Sequence, residues 1–147
     1  MGNVIYLFLL TLALEGATDD HWGRVYIAQV ILNRAEMRFT PRTPEERIGA
    51  IKKTILQPHQ FSCWDHLRPE EVPQWAARAA DEYDREFGYV VERYIRGGVF
   101  VLANVYGEYL KALTHYYAKA MPMPPSWARE KEPAATSEKH FFFKEID

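Results

Sequence analysis

The chain begins with a run in which polar residues are almost missing. Val4 to Leu14 contains two hydroxyls, on Tyr6 and Thr11, and no charge. Its apolar positions leave no polar face, so the pattern predicts a helix sunk in the core. The run is too short to span a bilayer. No Lys or Arg precedes it, which argues against a secretory leader. From Trp22 to Met37 the periodicity changes. Val25, Ala28, Ile31 and Leu32 recur at helical spacing and form a stripe on a second helix. Thr18, Asp19 and Asp20 offer the oxygens to cap it. Thr43-Pro44-Glu45-Glu46 starts a third helix, reaching to about Leu56, with Thr43 as cap, Pro44 in the first position and Glu46 closing a capping box.

Residues 57–64 then break the pattern and read as an ordered loop. Another helical stretch covers Gln74 to Arg96, with an interruption at Gly88, and Gly97-Gly98 ends it. Val99 to Leu113 is helical again and is broken or ended near Gly107. Met121-Pro122-Met123-Pro124-Pro125 excludes a helix interior. Thr114–Tyr117 and Phe141–Phe143 have the composition of short strands that pair with each other. The expected fold is mainly α (α+β), one domain over residues 1–147 with a small β element near the C-terminus.

With 147 residues the chain can bury one real core. A net charge of -2 gives no excess to neutralise a phosphate backbone, so nucleic acid is excluded as a general partner. The single cysteine, Cys63, excludes an intrachain disulfide and a multi-cysteine zinc site. Aromatic residues reach 14%, enough to supply a sugar-stacking groove as well as a core.

The most informative residue is Glu15. It ends the uncharged helix, where partial desolvation and the negative end of the helix dipole both favour a bound proton. A carboxyl that stays protonated near neutral pH can donate to a glycosidic oxygen. Spacing alone favours the plainer reading, in which Glu15 closes the helix and faces water. Asp19 and Asp20 lie about one turn further on. Either can pair with Glu15 as a second carboxylate, although capping is the better local explanation. In the loop, Trp64 can stack on a sugar and Gln60 can bond its hydroxyls; equally, Phe61 and Trp64 can be buried to anchor the loop. Thr114, His115, Tyr116, Tyr117 and His140 are further polar candidates. No HExxH or CxxC pair is present, so a metal site is not expected. No elbow motif surrounds Ser62, which speaks against a Ser62–His115 nucleophile.

Several segments, in order, resemble the SleB-like cell-wall hydrolases, which include spore-cortex-lytic enzymes and phage lysins. Glu15-Gly16-Ala17 resembles the segment bearing that family's catalytic glutamate. Gly23 and Val30-Ile31-Leu32-Asn33-Arg34 resemble the helix that follows it. Gln57-Pro58-His59-Gln60-Phe61-Ser62-Cys63-Trp64 resembles its glutamine-rich loop. Thr114-His115-Tyr116-Tyr117, Pro125-Ser126-Trp127-Ala128 and His140-Phe141-Phe142 resemble its C-terminal blocks. Residues 69–111 match least. Leu14 replaces the usual Gly before the glutamate, and Asp19 replaces a usual Glu.

The resemblance implies a lysozyme-like fold and cleavage between N-acetylmuramic acid and N-acetylglucosamine in peptidoglycan glycan strands. It implies a lytic transglycosylase needing no cofactor, with Glu15 as acid and then base. Gln60, Ser62, Trp64, Thr114, His115, Tyr116 and Tyr117 become substrate contacts, and Asp19 and His140 auxiliary residues. The alternatives are a hydrolytic muramidase and a non-catalytic glycan-binding or virion protein of the same fold. A monomer made in the host cytoplasm, released by a holin-type membrane protein and acting on the wall in the periplasm, is the expected phage-endolysin setting.

Overall fold

A computed structural model describes residues 1–58 and 60–144. His59, inside the glutamine-rich loop, lies outside the described residues. Helix α1 (Gly2–Gly16) is buried over most of its circumference, with Phe8, Leu10, Leu12 and Ala13 at 0% exposure. No helix among the described residues is long and apolar enough to cross a membrane. Burial explains why α1 is apolar all round: α2 (His21–Phe39), α3 (Pro44–Leu56) and α4 (Gln74–Tyr83) all pack against it.

The caps follow from local chemistry. Asp20 caps α2, its Oδ1 accepting from the Gly23 N–H at 3.0 Å. Thr43 Oγ1 caps α3 by accepting from Glu46 N at 3.1 Å. The expected capping box does not close on Thr43, because Glu46 Oε1 takes the N–H of Arg42, one residue earlier, at 3.0 Å. The stretch expected as one helix with an interruption at Gly88 is α4, a π turn over Asp84–Gly88, and α5 (Tyr89–Gly97). A Cβ on Gly88 would lie 2.3 Å from Asp84 Oδ1, so glycine admits that carboxylate. Gly98, at φ 66°, ends α5, and α6 (Val101–Tyr106) stops at Gly107.

Strands β1 (Leu113–Ala118) and β3 (His140–Lys144) pair antiparallel, with Tyr116 opposite Phe142 and Ala118 opposite His140. A two-residue β2 (Ala135–Thr136), absent from the sequence expectation, adds to the other edge of β3. The molecule is mainly α with this small sheet near the C-terminus, as the pattern predicts. Two buried polar residues of α2 anchor the sheet. Asn33 Nδ2 donates to the carbonyls of Leu110 (2.8 Å) and Leu113 (2.7 Å), and Gln29 Nε2 holds Asn33 Oδ1 at 2.8 Å. These bonds set the start of β1 against α2, and with it the position of Tyr116.

Candidate active site

Glu15 sits in the last turn of α1, half-buried, where the apolar helix delivers it to the foot of β1. The Tyr116 hydroxyl donates to Glu15 Oε1 at 2.8 Å. Burial pushes the Glu15 carboxyl above its ordinary value. The Tyr116 hydrogen bond and the charges of His140 and Arg34 pull it down without cancelling burial, while Asp65 adds to the upward push. The result is a carboxyl that keeps its proton to higher pH than one in water.

A second carboxylate, Asp19, is spent on structure. Its side chain has 0% exposure. It accepts from Asp20 N (2.8 Å), Lys139 N (2.9 Å), Ser137 Oγ (2.5 Å) and His140 Nδ1 (2.8 Å). Burial opposes the charge, and these hydrogen bonds together outweigh it, so Asp19 titrates below its usual range. The knot ties the α1–α2 turn to the start of β3. It also explains Gly23, since a Cβ there would stand 1.9 Å from Asp19 Oδ2. Asp20, the other acid weighed from the sequence, is the helix cap and also accepts from Glu138 N at 3.3 Å.

Glu15 opens onto a cleft of about 390 Å³. Of the residues expected at the site, Gln60, Ser62, Tyr116, Tyr117 and His140 line it beside Glu15. His140 reaches it from the Asp19 knot, with its ring edge-on to Tyr116 at 5.4 Å. Gln60 Oε1 accepts from Arg34 Nη1 (3.4 Å) and Arg38 Nη2 (3.2 Å). Three expected contacts lie off the cleft lining. Trp64 turns its indole N–H to Thr11 Oγ1 at 2.9 Å and packs against the core. Thr114 is buried, its carbonyl accepting from Arg34 Nε at 2.7 Å. His115 packs at a tilt against Trp127, with ring centres 5.0 Å apart. Burial, then Arg34 and Arg38, push its pKa down to about 4, so it is neutral at pH 7.

The cleft also takes in residues that sequence reasoning did not assign to it. Arg34 lines the floor, its guanidinium held by Thr114 and Gln60 and lying over the Phe61 ring at 5.4 Å. Its signal in the sequence was an Asn-Arg pair closing an apolar stretch. Trp127, packed edge-on to Phe143 at 5.3 Å, supplies an aromatic wall, with Met121 and Pro125 beside it. The proline-rich segment brings them there; its signal in the sequence was the resemblance of Pro125-Ser126-Trp127-Ala128 to a family block, with no role attached to Trp127.

Cys63 is poorly suited to nucleophilic attack: burial, then the Glu15 carboxylate, push its thiol up to about 12. Among the described residues no three His, Cys, Asp or Glu side chains converge as a metal site.

A carboxyl whose pKa is raised by burial, at a helix end and facing a cleft with aromatic and amide walls, is equipped for acid–base cleavage of a polar polymer. The chain belongs to the Cell Wall Hydrolase family of SleB type, whose family model matches residues 18–143. The protein is therefore an enzyme of the peptidoglycan-cleaving kind, acting on the cell wall. The matched span includes the cleft residues from Arg34 to His140, and Glu15 lies just before it. No curated protein and no solved structure matches the chain.

Proposed function

We propose that the protein is a lytic transglycosylase that cuts the β-1,4 bond between N-acetylmuramic acid and N-acetylglucosamine, as a lysozyme-like single catalytic domain. One observation carries the reading. Among the described residues, Glu15 is the one carboxyl lining the cleft, and it is the one whose environment favours the protonated form. A glycosidase that uses water or a covalent intermediate needs two carboxyl groups flanking the bond. A transglycosylase needs one, because the substrate provides the nucleophile.

In the first step Glu15 gives its proton to the glycosidic oxygen as the bond from the muramic anomeric carbon breaks. Tyr116 occupies Oε1, so the proton is carried on Oε2. The resulting carboxylate, stabilised by the Tyr116 hydroxyl and the nearby Arg34 charge, removes the proton of the muramic C6 hydroxyl. That oxygen closes on the anomeric carbon, giving a 1,6-anhydro ring and restoring protonated Glu15. In this reading Gln60, Ser62 and Tyr117, which line the cleft, contact the glycan, and Trp127 stacks on it.

Glu15→Gln keeps the shape and loses the proton donor, so lysis of purified sacculi falls by about 10²- to 10⁴-fold. Near wild-type lysis in the folded variant ends the proposal. Mass spectrometry of the released fragments tests the reaction type: anhydro ends are expected. Reducing ends support a muramidase, for which Asp65 is the relevant feature, being close enough for its charge to raise the Glu15 pKa. The phage-endolysin setting and monomeric state belong to the same proposal; lysis with and without a co-expressed holin, and sedimentation of the purified protein, test them.

A further inference from the structure

A second hollow lies beyond Gln60, linked to the cleft by Arg38. Arg38 Nη2 donates to Gln60 Oε1 at 3.2 Å, and Arg38 Nη1 donates to Gln57 Oε1. Gln57 lines this open hollow, of about 710 Å³, between the end of α2 and α3. One guanidinium therefore joins the two.

The second hollow has its own chemistry. Phe39 and Leu56 form an apolar floor, and remain 38% and 41% exposed. The charged side chains that line it are Lys52 and Lys53, both exposed. Lys53 Nζ lies 5.6 Å from the Phe39 ring centre. Among the described residues neither lysine has an acidic partner. The surface is thus apolar and cationic, and Arg38 links it to the Glu15 cleft through Gln57 and Gln60.

We propose that this hollow binds the acidic stem peptide of peptidoglycan, so that the preferred substrate is a peptide-bearing strand and not naked glycan. The inference rests on the glycan lying at Glu15. A stem peptide hangs from the muramic lactyl group and combines alanine methyls with free carboxylates. The methyls match Phe39 and Leu56, and the carboxylates match Lys52, Lys53 and Arg38. The reach to Arg38 is sufficient. Arg34 lines the cleft, and Arg38 is about 6 Å further along the α2 axis. An extended stem of four residues spans roughly 13 Å.

The test uses Lys52→Glu/Lys53→Glu, two changes on the exposed face of α3. Wild-type protein and variant are assayed on peptide-bearing strands and on the same strands stripped by an amidase. Charge reversal at two exposed sites is expected to raise KM about tenfold on peptide-bearing strands, with kcat unchanged. On stripped strands the two proteins should behave alike. The wild-type preference should fade near 1 M salt, where the screening length is about 3 Å. Equal KM for both substrates in the wild type, or equal losses on both in the variant, overturns the proposal.

A second measurement does not depend on cleavage. The free tetrapeptide alanyl-glutamyl-diaminopimelyl-alanine is titrated into the wild type and followed by NMR. Shifts of the Leu56 methyls are expected, and their loss in the variant. If Glu15 proves not to be the acid, this binding is still observed. No shift with the peptide, including the case in which anionic vesicles or a second copy of the chain shift Leu56 instead, overturns the inference.

Discussion

Removing the Asp19 carboxylate should unfold the molecule more readily than any other single change to its acidic residues. In Asp19→Ala four donors lose their acceptor: Asp20 N, Lys139 N, Ser137 Oγ and His140 Nδ1. The His140 partner is itself only 8% exposed, and Ser137 only 5%, so water cannot readily replace the lost bonds. Leaving a buried donor without its acceptor costs about 1–3 kcal/mol, so the Ser137 and His140 bonds together account for about 2–6 kcal/mol. For a domain of this size each kcal/mol lowers Tm by about 2–4 °C, so a drop of roughly 10 °C is expected. Asp19→Asn should recover little of this, because its amide NH2 would face donors.

The sign with pH is also determined. The folded-state pKa lies below the ordinary value of 3.8, so the contribution of Asp19 is complete above that pH. It is lost as pH falls through the lower folded value. The assay is thermal unfolding by circular dichroism from pH 2 to 7, on wild type and both variants. The wild-type advantage should be constant from about pH 5 upward and shrink below pH 4. A cost under about 1 kcal/mol, the level expected of an exposed ion pair, would show that the knot is not formed.

Glu15 should behave in the opposite sense. Its raised pKa means that stability is greatest at and below the ordinary value of 4.5 and declines as pH rises through the folded value. Each pKa unit corresponds to about 1.4 kcal/mol, reduced here by the water that reaches a half-buried group. Glu15→Gln should therefore match the wild type near pH 4 and exceed its Tm at pH 8; equal Tm at both values would mean a water-exposed carboxyl. Tyr116→Phe removes a hydrogen bond that favours the ionised form of Glu15, so the alkaline limb of the pH–activity profile should move upward. The lost bond to a charged group should also lower kcat about tenfold; an unmoved limb counts against the contact. Asn33→Ala deletes the side chain that pins two carbonyls at the start of β1. It should cost about 2–4 kcal/mol, read from urea unfolding, with a value below 1 showing that the sheet is held elsewhere.

Helix content was legible along the chain because its causes are local. The uncharged run before Glu15, the stripe through Val25, Ala28, Ile31 and Leu32, and the Thr43-Pro44 start each encode an element by spacing and capping alone. The pairing of residues 114–117 with 141–143 was legible for a similar reason, since both segments are rich in β-forming aromatics. Gly88 marked a break, but local spacing did not distinguish a π turn over Asp84–Gly88 from a simple gap.

The roles of the acids could not be read this way. Glu15 and Asp19 are four positions apart, and local rules favoured a water-facing helix end for one and a cap for the other. What separates them comes from the far end of the chain. Tyr116 and the walls of the cleft bury Glu15 and favour its proton, whereas Ser137, Lys139 and His140 surround Asp19 with donors and favour its charge. Trp64 and Arg34 exchanged places on the same ground: the indole found Thr11 in the core, and the guanidinium was carried to the cleft floor by Thr114. Periodicity and capping act over a few residues. Desolvation and hydrogen-bond partnership are set by contacts across about a hundred residues, and only the folded chain makes them.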